Sequence, residues 1–191
     1  MSDLQCPSRV FLARHGEAEY ETPLFMDHGG SLSRAGRDQA RELGARLRGE
    51  QIAHVYCSTI SRAVQTAELA AGVLGRDVTV REGLVEVALG EALGVPASNG
   101  FFDEAMDAWV SGDVDARAPG SESAREIAVR VQAVLDDLAD QHRGEAVLVV
   151  SHGAAIVATL AVLAIRPGRS TRVTNGAYVL LEHDADGWRL G

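Results

Sequence analysis

Two apolar stretches that end abruptly in a histidine–glycine pair constrain what this chain can fold into. Residues 10–13 lead directly into Arg14-His15-Gly16, and residues 147–150 lead into Ser151-His152-Gly153. Short apolar runs of this kind are typical of buried strands in parallel sheets. Open α/β sheets bind their ligands at the carboxyl ends of such strands. The pattern therefore predicts two histidines at one edge of a sheet, in a pocket for an anion such as phosphate.

Strand and helix signals alternate along the rest of the chain. Strands are predicted over residues 10–14, 52–57, 77–81 and 146–150, and the last two strands, over 177–182 and 188–190, form a predicted hairpin. Helices are predicted after an N-cap at Ser33 and over residues 58–74, 121–141 and 154–164. Alternating β and α units indicate a mostly parallel sheet with helices on both faces.

One stretch interrupts the alternation. Residues 84–120 are irregular and rich in glycine and acidic residues, with a short predicted helix over 102–110. Connections of this length tend to form lids or substrate walls. The chain has 191 residues and contains neither a linker nor an internal repeat. We therefore interpret residues 1–191 as one domain that carries an insertion on the substrate side.

Charge and composition disfavour several classes of function. The formal net charge is −9, and an acidic surface disfavours binding to nucleic acid or to an anionic membrane. No run approaches the ~18 apolar residues of a membrane span. The two cysteines, Cys6 and Cys57, do not predict a disulfide framework. The first eight residues lack the pattern of a signal peptide, which favours a cytoplasmic location, and no feature indicates an oligomeric state.

The charged residues near the strand ends suit a phosphate group. Arg14 adjoins His15, and Arg62 lies near the start of the helix that follows the second strand. The planar guanidinium group can bind two phosphate oxygens at once, and a helix N-terminus adds partial positive charge. Because neighbouring side chains in a strand point in opposite directions, a bend at Gly16 is needed to turn both Arg14 and His15 inward.

A neutral imidazole can attack phosphorus and form a phosphohistidine. Neighbouring cations favour the neutral form of that imidazole, and we expect a protonated His152 to contribute to this effect together with the two arginines. The leaving oxygen then needs a proton, which a carboxylic acid near the pocket could supply. Glu82, Glu86 and Glu91 are all candidates, and their spacing does not choose between them.

These residues resemble the histidine phosphatase superfamily, specifically its phosphoglycerate-mutase-like branch. The resemblance runs from about Val10 to Leu190, nearly the whole chain. Five short segments match in the family's order, and two softer matches, at residues 119–123 and at Asn175-Gly176, follow them. The five are Arg14-His15-Gly16-Glu17; Leu32-Ser33 with Gly36, Gln39 and Ala40; Ser58 through Arg62-Ala63 to Gln65-Thr66-Ala67; Leu84 and Glu86 with Gly90-Glu91 and Gly94; and Ser151-His152-Gly153.

The resemblance implies a role for each polar residue of these motifs. His15 is expected to be the nucleophile that becomes phosphorylated, and Arg14 and Arg62 are expected to bind the phosphoryl oxygens. His152 is expected to donate a hydrogen bond to the phosphoryl group. Glu86 is expected to be the proton donor, which selects it from the three candidates.

The resemblance also implies a fold, two further substrate-binding residues, and activity without a cofactor. The fold is a three-layer α/β/α sandwich with a mostly parallel central sheet. Gly16 and Gly153 follow the two histidines and are expected to belong to the substrate-binding site. No metal and no organic cofactor are implied.

The sequence departs from the family pattern around the site. Many relatives carry Asn where this chain has Glu21, and a carboxylate cannot donate a hydrogen bond to a phosphate and would repel it. Either Glu21 points away, or the substrate is held differently. Ala88, Ala92 and Ala154 also replace residues that are common in relatives. All of these positions are expected to lie where the organic part of the substrate binds, so the resemblance does not identify the substrate.

Glu17 adjoins the site. It either takes part in the chemistry or forms hydrogen bonds that stabilise the local loop.

The leading hypothesis is a metal-independent phosphomonoester hydrolase that acts through a phosphohistidine. Its substrate is expected to be a phosphorylated small molecule or a phosphoprotein. There are two alternatives: a phosphoglycerate-mutase-type phosphoryl transfer, and a non-catalytic phosphate-dependent binding or regulatory protein. A mutase needs several basic groups around a small phosphorylated acid, whereas residues 84–120 contain one basic residue, Arg117. A binding protein needs neither His15 nor Glu86, so their presence favours an enzyme.

Overall fold

The computed structural model of the chain describes residues 6–26, 29–165 and 173–191. Most of the segment in which we found no signal-peptide pattern lies outside the described residues. The strands are β1 (Ser8–Arg14), β2 (Ala18–Glu19), β3 (Ser31–Leu32), β4 (Ile52–Cys57), β5 (Val78–Val80), β6 (Ala146–Ser151), β7 (Tyr178–Asp184) and β8 (Gly187–Leu190). The helices are α1 (Arg34–Arg46), α2 (Ser61–Leu74), α3 (Asp103–Ser111), α4 (Ala124–Gln141) and α5 (Gly153–Val162).

Six of the strands form one sheet in the order β5-β4-β6-β1-β7-β8. The first four strands in that order are parallel, β7 is antiparallel to β1, and β8 is antiparallel to β7. In the β1–β6 pair, Arg14 lies opposite Ser151. The residues that follow, His15 and His152, therefore leave two neighbouring strands at the same edge of the sheet, as the sequence predicts.

Helices cover both faces of the sheet, so the predicted three-layer α/β/α sandwich is confirmed. Successive side chains of a strand point to opposite faces. Phe11 and Ala13 of β1 accordingly pack with α1 and α2, and Val10 and Leu12 pack with α3, α4 and α5. All four of these side chains are almost completely inaccessible to solvent. The central strands are thus buried on both faces, which explains why the sequence encodes them as continuous apolar runs.

The predicted elements are present, but some begin later than the sequence indicates. Helix α2 begins at Ser61 instead of residue 58, because the Ser58 hydroxyl accepts the N–H of Ile60 and holds a turn before the helix. Helix α4 begins at Ala124 instead of residue 121, because Ser123 and Glu126 form a capping box at its start. Both differences come from side chains that bind the backbone locally.

The segment 84–120 is more structured than the sequence indicates. It contains two short 3-10 helices, Gly90–Ala92 and Ala97–Asn99, as well as α3. Trp109 of α3 and Phe102 are buried in the core, Phe101 is half-buried, and both phenylalanines line a cavity. The paired strands β2 and β3 were not predicted, because two-residue strands carry no periodic signal.

Close backbone contacts join α1 to the loop that follows β1. A Cβ atom added at Gly36 would lie 1.9 Å from the carbonyl oxygen of Glu17, and one added at Gly16 would lie 2.5 Å from the carbonyl oxygen of Gly36. Real Cβ atoms essentially never approach so closely, so both positions require glycine. The two glycines thus allow the loop after His15 to pack directly on the start of α1.

Two further sequence expectations concern thiols and membranes. Cys6 is exposed, Cys57 is buried, and both are free thiols. Within the described ranges, no helix is both long and apolar enough to cross a membrane.

Candidate active site

His15 lies immediately after β1 and is only 4% exposed. Its Nδ1 atom is 2.7 Å from the carbonyl oxygen of Gly16. A carbonyl can only accept, so this contact assigns the ring proton to Nδ1. The other ring nitrogen, Nε2, is therefore unprotonated, and it accepts a hydrogen bond from Nε of Arg62 at 3.2 Å. The geometry gives a neutral imidazole whose unprotonated Nε2 faces the guanidinium group of Arg62.

The surroundings of His15 keep this imidazole neutral. Burial is the largest cause and lowers the pKa of His15 from 6.5 to about 3. The Gly16 carbonyl acts in the opposite direction, while the positive charges of Arg62 and Arg14 lower the pKa further. A protonated ring would have to sit beside two guanidinium groups with little access to water, which is unfavourable.

Arg62 is the second residue of α2 and is 7% exposed. Besides its bond to His15, it donates from Nη1 to the carbonyl oxygen of Gly29 at 2.9 Å. Thr66, one turn further along α2, donates to the carbonyl oxygen of Arg62 and accepts the N–H of Gly16 at 3.0 Å. The Thr66 hydroxyl thereby connects the backbone beside the nucleophile to the helix that carries the arginine.

His152 occupies the corresponding position after β6 and is fully buried. Its Nε2 lies 2.8 Å from the hydroxyl of Ser58, which already accepts the N–H of Ile60. Among the described residues the Ser58 hydroxyl has no other acceptor for its proton, so we assign Ser58 as the donor to Nε2 and place the ring proton of His152 on Nδ1. That Nδ1 atom has no hydrogen-bond partner among the described residues.

The expectation of a protonated His152 is wrong for this structure. Burial lowers the pKa of His152 well below its usual value, and the charges of Arg62 and Arg14 act in the same direction. Such complete burial is a tertiary property that the motif Ser-His-Gly does not reveal. His152 therefore contributes a neutral N–H donor instead of a positive charge.

Arg14 is half-buried at the end of β1 and packs against the start of α5. Its Nη1 donates to the carbonyl oxygen of Val173 at 3.2 Å, and its buried Nε has no partner within the part of the chain that is described. A Cβ atom at Gly153 would lie 3.3 Å from both Nε and Cζ of Arg14. The glycine after His152 thus leaves room for the guanidinium group.

Glu86 is half-buried and lines the same cavity as Arg14 and Arg62. Its Oε1 accepts the N–H groups of Val87 and Ala155, each at 3.0 Å, and its Oε2 accepts the N–H of Ala154 at 3.3 Å. The two alanine N–H groups belong to the first turn of α5, where helices leave backbone donors unpaired. Glu82 and Glu91 are exposed and do not line this cavity.

The two remaining carboxylates differ in their surroundings. Glu17 accepts a hydrogen bond from the Ser33 hydroxyl at 2.7 Å, and its backbone N–H donates to Gln39, so it stabilises the loop after β1. Glu21 lines the cavity and accepts the N–H of Gly30 at 3.3 Å. Hydrogen bonds from its own backbone N–H and from Gly30 lower the pKa of Glu21. A negative charge therefore lies on the cavity wall where relatives often carry Asn.

Sequence reasoning did not identify every residue that holds the site in place. Asn175 donates from its side chain to the carbonyl oxygen of His15 at 3.0 Å, and its neighbour Gly176 donates to the carbonyl oxygen of Arg14. Arg130 of α4 contacts the loop that carries Glu86. Asn175-Gly176 matched the family only weakly, and Arg130 lies in an ordinary amphipathic helix with no local motif.

The arrangement can bind a tetrahedral anion next to an unprotonated imidazole nitrogen. Arg14, Arg62 and His152 supply donors, and Glu86 supplies a carboxyl group on the cavity wall. No group of three or more histidine, cysteine, aspartate or glutamate side chains in the described ranges could hold a metal ion.

The chain is similar in sequence and fold to known phosphatases and phosphoglycerate-mutase-like proteins. A protein from Enterobacter sp. (strain 638) named "Probable phosphoglycerate mutase GpmB" is 32% identical over 189 residues, which cover 94% of this chain and 87% of that protein. The structure of a mycobacterial glucosyl-3-phosphoglycerate phosphatase is 26% identical, covers 96% of both chains and superposes with a TM-score of 0.77. A phosphoserine phosphatase mutant from Entamoeba histolytica, 23% identical, shares the fold with a TM-score of 0.75, covering 96% of this chain and 94% of its own. The sequence profile described as Histidine phosphatase superfamily (branch 1) matches residues 10–191, and the chain belongs to that superfamily.

Proposed function

We propose that this chain is one domain that hydrolyses phosphate monoesters through a phosphohistidine at His15, without a metal ion. The observation that best supports this proposal is the pair of buried, unpartnered nitrogens, Nε of Arg14 and Nδ1 of His152. Buried donors normally have acceptors, and exceptions are concentrated at functional sites. A phosphoryl group bonded to Nε2 of His15 would offer oxygen acceptors to these two donors and to Arg62.

In the first step, the lone pair of His15 Nε2 attacks phosphorus. The P–N bond forms, the P–O bond to the leaving group breaks, and Glu86 transfers a proton to the departing oxygen. A proton on Oε2 of Glu86 leaves both hydrogen bonds to Oε1 in place. The ring becomes positively charged when Nε2 is phosphorylated, and the Gly16 carbonyl, which accepts from Nδ1, stabilises that charge.

In the second step, Glu86 accepts a proton from water as the water oxygen attacks phosphorus. The P–N bond breaks, and inorganic phosphate leaves with Nε2 of His15 again unprotonated. The same carboxyl group is the acid of the first step and the base of the second. The positive charges of Arg14 and Arg62 compensate the charge that is redistributed over the phosphoryl oxygens in both steps.

Two observations favour hydrolysis over a mutase reaction. Arg117, the one basic residue of segment 84–120, pairs with Glu126 at 3.1 Å and does not line the cavity. Glu21, which does line it, would repel the carboxylate of a phosphorylated acid. The relatives named above include proteins called mutase and phosphatase, so both reactions are represented among them.

The nucleophile can be tested directly. His15→Ala removes the atom that bonds to phosphorus, so turnover of p-nitrophenyl phosphate should fall at least about 10³-fold. Rapid acid-free quenching of the unmodified protein with substrate, followed by peptide mass spectrometry, should locate a base-stable, acid-labile phosphoryl group on His15. His183→Ala, on β7 outside the site, is the matched control and should retain activity. A phosphoryl group found on a serine would contradict the mechanism, and release of a phosphorylated isomer instead of phosphate would indicate a mutase.

The role of Glu86 can be tested with leaving groups of different basicity. An alkyl oxygen must be protonated as it departs, whereas p-nitrophenolate is stable as an anion. Glu86→Gln should therefore reduce kcat for an alkyl phosphate at least about 10²-fold more than kcat for p-nitrophenyl phosphate. Glu91→Gln, from the same segment but outside the cavity, should affect the two esters equally. Equal losses in Glu86→Gln would show that this residue does not supply the proton.

The burial of His15 should make stability depend on pH. Below about pH 6.5 the unfolded chain protonates this histidine, whereas the folded protein resists protonation until about pH 3. The unfolded state therefore binds more protons in this window, and stability falls as pH falls. Between pH 7.5 and pH 5.0 this effect costs about 2 kcal/mol for a single fully shifted histidine.

Urea unfolding at pH 7.5 and pH 5.0 measures this difference. In His15→Gln, which carries no titratable group at this position, the loss of stability over the interval should be smaller by about 1–2 kcal/mol. His183→Gln should lose as much stability as the unmodified protein. If the loss in His15→Gln equals that of the unmodified protein, His15 is not held neutral by the fold.

A further inference from the structure

The cavity beside the phosphate-binding groups is much larger than a phosphate. Its volume is about 880 Å³, which is within the range of sites that enclose drug-sized ligands. Apolar side chains form most of the remaining wall. They include Leu24, Phe25, Met26, Phe101, Met106 and Val157.

Several large side chains on the cavity wall are exposed to solvent. Tyr20 is 56% exposed, Leu24 is 37% exposed and Met26 is 51% exposed, and all three line the cavity. Single exposed apolar residues need no explanation, but a group of them around one cavity indicates a surface that a ligand covers.

The apolar wall is held in place by backbone hydrogen bonds. The N–H of Phe25 donates to the carbonyl oxygen of Val95 at 2.8 Å, and the N–H of Gly94 donates to the carbonyl oxygen of Phe25 at 2.9 Å. The ring of Phe25 packs edge-on against Phe102, with 5.5 Å between the ring centroids. Because the two loops are already joined, binding an apolar ligand requires little further ordering of the wall.

Among the described residues, the charged side chains on the wall away from the phosphate-binding groups are negative. Glu21 and Asp103 line the cavity, and the pKa of Glu21 is lowered, so this carboxylate is ionised at neutral pH. Within the described residues, the basic side chains that line the cavity are Arg14 and Arg62, which the phosphoryl group would occupy. A second negative charge on a substrate would therefore be repelled if it lay beside Glu21 or Asp103.

We infer that the substrate is the phosphate monoester of an alcohol with an extended alkyl or aryl body that carries no negative charge where it meets Glu21 and Asp103. This inference rests on the proposed phosphatase function and assigns its substrate class.

A series of n-alkyl phosphates tests this inference, because their leaving groups react alike and differ mainly in apolar surface. From ethyl to octyl phosphate, kcat/KM should rise by up to roughly fourfold for each methylene that the cavity buries. 3-Phosphoglycerate, which carries a carboxylate, should be at least about tenfold poorer than hexyl phosphate. A flat chain-length series, or a preference for 3-phosphoglycerate, would overturn the inference. Failure to hydrolyse any monoester would instead refute the proposed function.

Variants of cavity-lining residues, each with a control outside the cavity, test whether the wall determines the substrate preference. Leu24→Ser should lower kcat/KM for octyl phosphate about tenfold more than kcat/KM for ethyl phosphate, whereas Leu93→Ser, at an exposed position outside the cavity, should not change the ratio of the two. Glu21→Gln should raise kcat/KM for 3-phosphoglycerate relative to hexyl phosphate, and Glu19→Gln, which does not line the cavity, should not. Identical behaviour of the cavity variants and their controls would contradict the assignment of this wall to the substrate.

A separate set of contacts holds the loop that carries Glu86. All five N–H groups of the Arg130 guanidinium donate hydrogen bonds. Nη1 donates to the carbonyl oxygens of Gly83 at 3.0 Å and Val85 at 2.7 Å, and Nη2 donates to that of Glu86 at 3.0 Å. Nε and Nη2 also bind the two carboxylate oxygens of Glu122, at 2.8 and 2.9 Å. One side chain thus binds three backbone carbonyl oxygens of this loop.

Glu122 completes the attachment of the loop. Its carboxylate also accepts the N–H of Ala88 at 2.9 Å. Its side chain and that of Arg130 are 22% and 21% exposed, so solvent screens the pair less than it screens a surface pair. Burial acts to raise the pKa of Glu122, but the hydrogen bonds from Arg130 and Ala88 outweigh it and lower the pKa, which keeps the carboxylate ionised.

Backbone packing brings the loop close enough for these contacts. A Cβ atom at Gly83 would lie 2.8 Å from the carbonyl oxygen of Arg130, so the loop touches α4 directly. From this docked position Glu86 reaches the N–H groups of Ala154 and Ala155. The ion pair and the docking together determine where the Glu86 carboxyl group lies.

We further propose that Arg130 and Glu122 are positioning residues for Glu86. Arg130→Lys retains the charge but has three donors instead of five. It should lower kcat for an alkyl phosphate about 10- to 100-fold and change kcat for p-nitrophenyl phosphate less than about threefold. Glu122→Gln should show the same separation between the esters with a smaller loss.

Arg125→Lys is the matched control, because Arg125 lies on the same helix and pairs with Asp115 in an exposed salt bridge. It should leave both activities unchanged, and urea unfolding of all variants separates positioning from loss of fold. Equal losses on the two esters in Arg130→Lys would overturn the proposal. If Glu86→Gln itself shows no separation between the esters, the assignment of the acid fails instead.

Discussion

The parallel pairing of β1 with β6 is the constraint on which the site depends. The pairing continues past the end of β1, where the N–H of His15 donates to the carbonyl oxygen of Ser151 at 3.0 Å. On the other side of β6, the N–H of Ser58 donates to the carbonyl oxygen of Val150 at 3.0 Å. Three chain segments therefore leave the sheet at one edge, each fixed by a bond to its neighbour. A one-residue shift in register would turn these side chains to the opposite face.

Much of this arrangement could be predicted because it depends on local sequence. Continuous apolar runs predict strands buried on both faces, and the residue after such a run must lie at a strand end. The positions of His15, His152 and Arg62 follow from this reasoning and from the helix that begins near Ser61. The prediction of Glu86 needed a resemblance to known proteins, because its position depends on a loop with no periodic pattern.

Features that depend on contacts between distant residues could not be predicted. The neutral state of His152 results from burial under several elements, and the attachment of the Glu86 loop depends on Arg130, more than 40 residues away. Phe101 and Phe102 both line the cavity, and Phe102 is also buried in the core, so a core position and a cavity-lining position coincide in one residue. The sequence does not reveal this, because it depends on which distant surfaces pack around the segment.

Among the described residues, two buried nitrogens of the site depart from the usual rule that buried polar groups are hydrogen-bonded. These nitrogens are Nε of Arg14 and Nδ1 of His152. Their side chains surround the same anion site as the buried Arg62. The start of α5 both leaves room for the Arg14 guanidinium group and binds the Glu86 carboxyl group. Its first residue, Gly153, has no side chain to displace Arg14, and the next two N–H groups bind Glu86. A helix N-terminus thus orients the carboxyl group while the glycine admits the cation. Both proposed steps of phosphoryl transfer therefore depend on where this one helix begins.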